Sequence, residues 1–309
     1  MSEPVRVVAI PCPFGAGSVT YVYYLDTPEP ALIDTGVAAS PAGVIEPALR
    51  AAGFRLEDVR WILATHGHFD HIGGAHAVHE ITSQPAQVAI HGADAGWLRD
   101  TRPAVHREAY VGLRFRYLDD PAALAATDAL LLENISGDLA ADRELTDGDR
   151  VSLGGGITVS VVHTPGHSPG SATYLLEGAN WAFCGDAVQV TGSSGNKFPL
   201  FVDPVAYRSS LERLLNDVRP AELFLGHRFR DLEGTPFESH LAGDEVGSAL
   251  RQSLEFERRL ASVAPQIAAG ATVAADFASA ATALGYDPGQ PHGWPPSFLS
   301  TLSGYLSKS

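Results

Sequence analysis

The chain has 309 residues, 45% of them hydrophobic, and a formal net charge of -15, which is enough apolar material for one large domain with a sizeable core. The acidity is spread along the chain without a block of like charges, and this argues against nucleic acid or an anionic membrane as the main partner. No stretch reaches the roughly 18 uncharged apolar residues of a membrane span, the N-terminal MSEPVRVVAIPCPFG lacks the pattern of a leader, and two cysteines, Cys12 and Cys184, are too few for a disulfide framework, so a cytoplasmic protein is expected.

In chain order, VRVVAI (5–10) and VTYVYYL (19–25), separated by PCPFGAGS, predict an opening hairpin or meander. ALIDTG (31–36) predicts a short strand ending at Asp34. Ser40 and Pro41 supply the cap and first residue of a helix in which Val44, Ile45, Ala48 and Leu49 recur at helical spacing, stopped by Gly53. The strand VRWILA (59–64) runs into THGHFDHIGG (65–74). A helix over 75–82 and a strand at QVAI (87–90) follow. Residues 97–150 predict a helical insertion beside the substrate. ITVSVV (157–162), SATYLLE (171–177) and WAFC (181–184) are strands; Asp203 and Pro204 open a helix with Tyr207, Leu211, Leu214, Leu215 and Val218 on one face; ELFL (222–225) is the last clear strand. Residues 236–309 read as helical, with breaks near Pro265 and in DPGQPHGWPP, and no internal repeat is present.

Four of these strands deliver an imidazole or carboxylate just past their ends. WILA leads to His66, His68, Asp70 and His71; VSVV leads through HTPG to His167; WAFC leads through Gly185 to Asp186; LFL leads through Gly226 to His227. Strands lying side by side bring such ends to one edge, where loops hold functional groups on a rigid scaffold. Imidazoles and carboxylates suit zinc, and also iron or manganese. Seven ligands exceed what one tetrahedral ion can use, so the count implies two divalent metal ions. The remaining histidines, His76, His79, His91, His106, His240 and His292, lie outside the pattern and are read as structural, as is His163 at a strand end. Cys184 is read as a small buried hydrophobe.

HGHFDH, followed in order by TPGH, GD and GH, resembles the ligand set of the metallo-β-lactamase superfamily over roughly residues 5–230. The resemblance implies an α/β fold, the αββα sandwich, with a catalytic domain over 1–235 and a helical C-terminal extension over 236–309 packing near the active site. It places His66, His68 and His167 on one metal and Asp70, His71 and His227 on the other, with Asp186 bridging and Asp34 orienting a ligand histidine from behind. Two such cations, zinc first, share a water and lower its pKa to near 7, so a bridging hydroxide is the expected nucleophile. Asp70 is the expected catalytic carboxylate, orienting that water or passing its proton to the leaving group.

Departures from the family pattern narrow the branch. Asp186 and the lack of a leader speak against an antibiotic-hydrolysing member, and the acidic surface against a nuclease. Acyl-homoserine lactonases of the family place a tyrosine three residues after the bridging aspartate, where this chain has Gln189. Glyoxalase II-like thioesterases carry a helical extension after the last histidine, as here, although Arg251, Arg258, Arg259 and Lys308 form no clear glutathione-binding cluster. The reading is a hydrolase of a small ester-like substrate, a thioester ahead of a lactone. The other alternative is a metal-binding regulatory protein of the same fold without turnover. The expected partner is a small-molecule substrate, with neither nucleic acid nor membrane, and a homodimer is left open.

Overall fold

A computed structural model describes residues 5–15, 17–110, 112–193 and 197–306. The chain opens with the hairpin of β1 (Arg6–Phe14) and β2 (Ser18–Asp26). Pairing runs through Pro11 and Pro13 as far as Phe14 opposite Ser18, further than the apolar runs alone suggest. Two prolines are tolerated because β1 is an edge strand, with no ladder donor required on its outer side. β3 (Ala31–Ile33), β4 (Trp61–Leu63), β5 (Gln87–His91) and β6 (Arg143–Leu145) complete a six-stranded sheet in sequential order. The second sheet comprises β7 (Arg150–Ser152), β8 (Thr158–His163), β9 (Ala172–Leu176), β10 (Trp181–Gly185), β11 (Glu222–Leu225) and β12 (His240–Ala242), in the order β12-β11-β10-β9-β8-β7. Only β11 against β10 is a parallel pair there.

Period-two alternation sends neighbouring side chains to opposite faces, and each face finds a different core. From β2, Tyr23 and Leu25 join Ile33, Leu63, Val161, Tyr174 and Phe183 between the two sheets, whereas Val22 and Tyr24 turn outward. On that outer face they meet Leu49 of α1 (Glu46–Ala52), Val78 of α3 (Ala75–Ile81) and Leu98 of α4 (Ala95–Arg99); α2 is the short turn Phe69–Ile72. The second sheet turns Ala182, Leu223 and Leu225 outward onto Leu211 of α8 (Pro204–Arg213) and onto Leu250 and Leu254 of α9 (Asp244–Val263). Helix, sheet, sheet and helix layers result, the αββα sandwich implied by the sequence.

Three strands were not legible. β6, β7 and β12 have three residues each, REL, RVS and HLA, too short to display a period. Two of them fall in or at the end of 97–150, so the helical part of that segment is confined to α4, α5 (Pro103–Tyr110), α6 (Gly112–Tyr117) and α7 (Pro121–Asn134), and the chain then returns to both sheets. β12 likewise makes the first residues after 235 part of the second sheet and not of a purely helical extension. Ser40 is not the expected cap: it has helical dihedrals, and its Oγ accepts Val37 N–H at 3.1 Å ahead of a wide turn at Pro41–Ile45. Gly53 ends α1 with φ 89°, as the sequence predicts, and Asp203 accepts the Val205 and Ala206 amides at the start of α8.

Beyond α9, α10 (Ala278–Ala283) and α11 (Phe298–Ser303) close the chain. Ser297 Oγ donates to Phe198 O at 2.9 Å and Thr301 Oγ1 to Pro199 O at 2.7 Å, fixing the C-terminal segment to residues 198–201. Among the described residues no helix is long and apolar enough to cross a membrane.

Candidate metal centre

Strand ends on one edge of the sandwich bring all seven expected ligands together. Asp34 follows β3, His66 and His68 follow β4, Asp70 and His71 sit on α2, His167 follows β8, Asp186 follows β10 and His227 follows β11. His66 Nε2 lies 3.0 Å from His167 Nε2, and His71 Nε2 lies 3.3 Å from His227 Nε2. Asp186 stands between these pairs: Oδ1 is 3.5 Å from His71 Nε2, and Oδ2 is 3.6 Å from His167 Nε2 and 3.4 Å from His227 Nε2. Asp70 Oδ2 is 3.2 Å from His227 Nε2. Three overlapping groups have donor atoms within 4.8 Å of one another: His66, His68 and His167; His66, His71 and Asp186; Asp70, His71 and His227.

The outward nitrogen of each imidazole explains this convergence. His71 Nδ1 faces Asp34 Oδ2 at 2.7 Å, His167 Nδ1 the Leu200 carbonyl at 2.6 Å, and His227 Nδ1 the Val19 carbonyl at 2.7 Å. His68 uses its other nitrogen, with Nε2 3.1 Å from Ala109 O. Thr65 Oγ1 donates to Asp34 Oδ2 at 2.9 Å and so accepts from His66 Nδ1 at 3.1 Å. Acceptors outside fix each N–H, leaving the other ring nitrogen of each with a lone pair. Lone pairs facing one another at 3.0 and 3.3 Å repel unless a proton or a metal cation lies between them. Asp186 Oδ1 is moreover a buried oxygen with no hydrogen-bond partner among the described residues. Crowded nitrogen donors, an orphaned carboxylate oxygen and a set of borderline ligands all fit divalent cations.

The protonation states divide the cluster in two. Burial drives His66 and His68 well below the usual imidazole range, with neighbouring imidazoles adding to the effect, and burial also lowers His167. Burial opposes charge on His71 and His227 too, but the carboxylates of Asp70 and Asp186 prevail there and raise both. Burial would raise Asp70 and Asp186, yet His71 and His227 hold both carboxyls well below their ordinary range. The ionised carboxylates and the neutral imidazoles of His66, His68 and His167 are in the form a dication binds, whereas at His71 and His227 a dication would take the place of the proton that the carboxylates favour.

Sequence reasoning missed several supports. Thr20, fully buried on β2, donates to Asp70 Oδ2 at 3.1 Å. Gln189 is bound in place: Nε2 donates to Asp186 O and Leu200 O at 2.9 and 2.8 Å, and Oε1 accepts Leu200 N–H at 2.8 Å. Asp94 joins two ligand loops. Thr20 and Asp94 stand beside no ligand in the sequence, and Gln189, noted there only as a departure from the lactonase tyrosine, gains this supporting role from the tertiary fold. Two glycines are needed for close approach. A Cβ on Gly226 would lie 2.4 Å from Asp186 Oδ1 and 2.9 Å from His71 Cε1; one on Gly185, at φ 49°, would lie 2.4 Å from Thr65 Oγ1.

The histidines outside the pattern lie elsewhere. His91 and His163 stack at 4.0 Å, His240 pairs with Glu222, His292 with Asp120, and His79 Nδ1 meets Ala86 O. Both cysteines are buried; burial pushes Cys12 up to about 12 and Cys184 above the usual thiol range. Because the thiolate is the reactive form, neither is expected to be alkylated by iodoacetamide at pH 8 in folded protein, at least 100-fold slower than in urea, a rough bound set by the missing thiolate. Mass spectrometry showing Cys184 labelled in the native state would contradict this packing.

Residues 13–227 match the profile of the Metallo-beta-lactamase superfamily. A hydroxyacylglutathione hydrolase of Acidiphilium cryptum is 32% identical over 230 residues, covering 74% of this chain and 72% of that protein. A probable metallo-hydrolase of Bacillus subtilis is 30% identical over 127 residues, 41% of this chain and 48% of that protein. Among solved structures, a metallo-beta-lactamase family protein of Thermus thermophilus has a TM-score of 0.69 at 23% identity, over 98% of this chain and 93% of that one. A subclass B3 metallo-beta-lactamase of Bradyrhizobium japonicum has a TM-score of 0.54 at 24% identity, over 79% of this chain and 88% of that one. At such identities these structures show a shared fold.

Proposed function

This chain belongs to the metallo-β-lactamase superfamily, whose members bind divalent metals, and on that premise we propose that it is a dinuclear hydrolase of small thioesters. The observation that carries the reading is the convergence of seven ligands, of which the five histidines and Asp70 are each tied to the protein from outside the cluster. His66, His68 and His167 would hold one cation and Asp70, His71 and His227 the other, with Asp186 shared. When bound, such a pair supplies hydroxide from water near pH 7 and polarises a carbonyl oxygen.

The chain's own groups then orient the reactants. Asp70 turns Oδ2 toward Thr20 and His227, which leaves Oδ1 to accept a hydrogen bond from the attacking water. With its carboxyl held well below the ordinary range by the imidazoles, Asp70 acts as an acceptor that aims the water and is a poor store for a proton. Over the cluster opens a cavity of about 70 Å³ whose apolar walls are Phe14, Phe198, Leu200, Phe229 and Pro296. These walls exclude bulk water and seat an acyl group, and Ser18 adds a hydroxyl at the rim.

A thioester is preferred to a lactone on two grounds. The Acidiphilium relative is named for thioester cleavage. Gln189, where the lactonases have a tyrosine, has its amide engaged by the backbone at 186 and 200 and offers no donor to a substrate. The test pairs elemental analysis with an assay panel of acyl thioesters, acyl-homoserine lactones and phosphodiesters under zinc, manganese and iron. Two ions per chain and a thioester kcat/KM above about 10⁴ M⁻¹ s⁻¹, the lower end of the enzymatic range, are expected. A lactone turned over faster than every thioester would reverse the substrate assignment, and well under two ions in active protein would remove the dinuclear one.

A further inference from the structure

The two loops that carry His66, His68 and His167 come from different sheets, and one buried carboxylate joins them. Asp94 stands immediately before α4, where an aspartate ordinarily accepts the free amides of the first helical turn, yet its side chain makes no such bond. Instead Oδ2 accepts Gly67 N–H at 2.9 Å and Ser168 Oγ–H at 2.6 Å, and Oδ1 accepts Gly170 N–H at 2.7 Å. Gly67 lies between His66 and His68, and Ser168 follows His167. Both glycines are pressed against this carboxylate and its helix: a Cβ on Gly170 would lie 2.5 Å from Asp94 Cγ, and one on Gly67 would lie 2.4 Å from Trp97 Cε3. Trp97, three residues on in α4, stacks on His68 with ring centroids 5.8 Å apart.

Resting on the two-cation reading above, we propose that Asp94 is the positioning residue of the His66, His68 and His167 site, setting the gap across which the three imidazoles converge. The other set has its own supports: Asp34 behind His71, Thr20 behind Asp70 and the Val19 carbonyl behind His227. On the strand side of His66, the same two segments are also joined by Ala172 N–H to Thr65 O at 2.8 Å and Tyr174 O–H to Ala64 O at 2.9 Å. Losing Asp94 therefore loosens the loop tips while the sheets stay together, and it acts on one cation and not the other.

The experiment compares full-length Asp94→Ala, Asp94→Asn and the control Asp142→Ala, which removes another carboxylate tether, from Oδ2 to Val88 N–H at 2.8 Å, away from the cluster. Zinc stoichiometry, competition against a chromophoric chelator and cobalt absorption spectra are read for each. Wild type is expected to hold two ions. Asp94→Ala should keep one and bind the other 10- to 100-fold more weakly, roughly the effect of losing an outer partner of a metal ligand. Asp94→Asn, which keeps the shape and one acceptor oxygen, should lose less and shows the effect even if the alanine variant does not fold. Asp142→Ala should lower the melting temperature and leave both affinities unchanged. Unchanged affinities in both Asp94 variants, equal weakening of the two ions, or the same weakening in Asp142→Ala would each overturn the proposal. A wild type holding a single ion would instead overturn the two-cation reading.

Discussion

Replacing Asp186 by asparagine is expected to lower kcat/KM by about 10³-fold and to reduce bound metal from two ions toward one. Asp186 is the carboxylate that reaches both halves of the cluster among the described residues, with His167 on one side and His71 and His227 on the other, all between 3.4 and 3.6 Å. Its Oδ1 has no hydrogen-bond partner among the described residues, and asparagine keeps an oxygen that can face His227 in place of Oδ2. On the two-cation reading the loss falls on the cations. Losing one cation forfeits several kcal/mol of transition-state charge stabilisation, and about 4 kcal/mol corresponds to 10³ in rate. Asparagine preserves the volume against Gly226, whose missing Cβ leaves room for this side chain and no more. Steady-state kinetics beside elemental analysis check the result; a variant within tenfold of wild type that still holds two ions would remove Asp186 from the bridging place.

How far this site was legible follows from what makes each residue stand out. His66, His68, Asp70 and His71 are close in the chain, and His167, Asp186 and His227 each follow an apolar strand, so a linear reading collects them. Asp34 was visible through the LIDTG turn, and its φ of 62° shows why that turn is sharp. Thr20 and Asp94 carry no such mark. Thr20 sits inside a strand of alternating aromatic and β-branched residues, where a threonine is unremarkable, and Asp94 sits where a helix cap is the ordinary explanation. Each gains its meaning from a partner 50 to 76 positions away, which no local pattern encodes.

The fold divides in the same way. Long strands with a strict period and helices with flanking Gly53 or Asp203 were readable, because hydrophobic alternation and cap chemistry are local. β6, β7 and β12 exist because a neighbouring strand offers its free edge: β5 to β6, β8 to β7 and β11 to β12. Residues 97–134 and the segment after α9 were legible only as helical. Which of their faces turn inward depends on distant partners: the first sheet's outer face for Leu98, Val37 and Phe69 for Leu131, and residues 198–201, to which Ser297 and Thr301 bind, for the C-terminal segment.

A second large effect is expected far from the metal ligands, at Glu257. This carboxylate on α9 is 0% exposed. Arg208 of α8 grips it with two parallel bonds of 2.7 and 2.8 Å, and Tyr305 O–H adds a third at 3.0 Å. The two partners differ in what they can do alone. The Arg208 side chain is 39% exposed and can turn to water, whereas Glu257 cannot leave the interior. Arg208→Ala therefore strands a buried charge and should cost about 3–5 kcal/mol, the range for breaking a buried pair. Glu257→Ala should cost about 2 kcal/mol, because it leaves a guanidinium that rehydrates and removes a charge that was expensive to bury. The double variant should cost less than the sum of the two, since Arg208→Ala is harmful only while Glu257 is present. Urea unfolding of the three variants measures this order. If Glu257→Ala proved the more damaging single change, the pair would be acting through packing of α9 against α8 and not through charge. Because Tyr305 bonds Glu257 just beyond α11, and α11 fixes residues 198–201 beside the pocket, a raised KM is expected in Arg208→Ala at temperatures well below its unfolding transition.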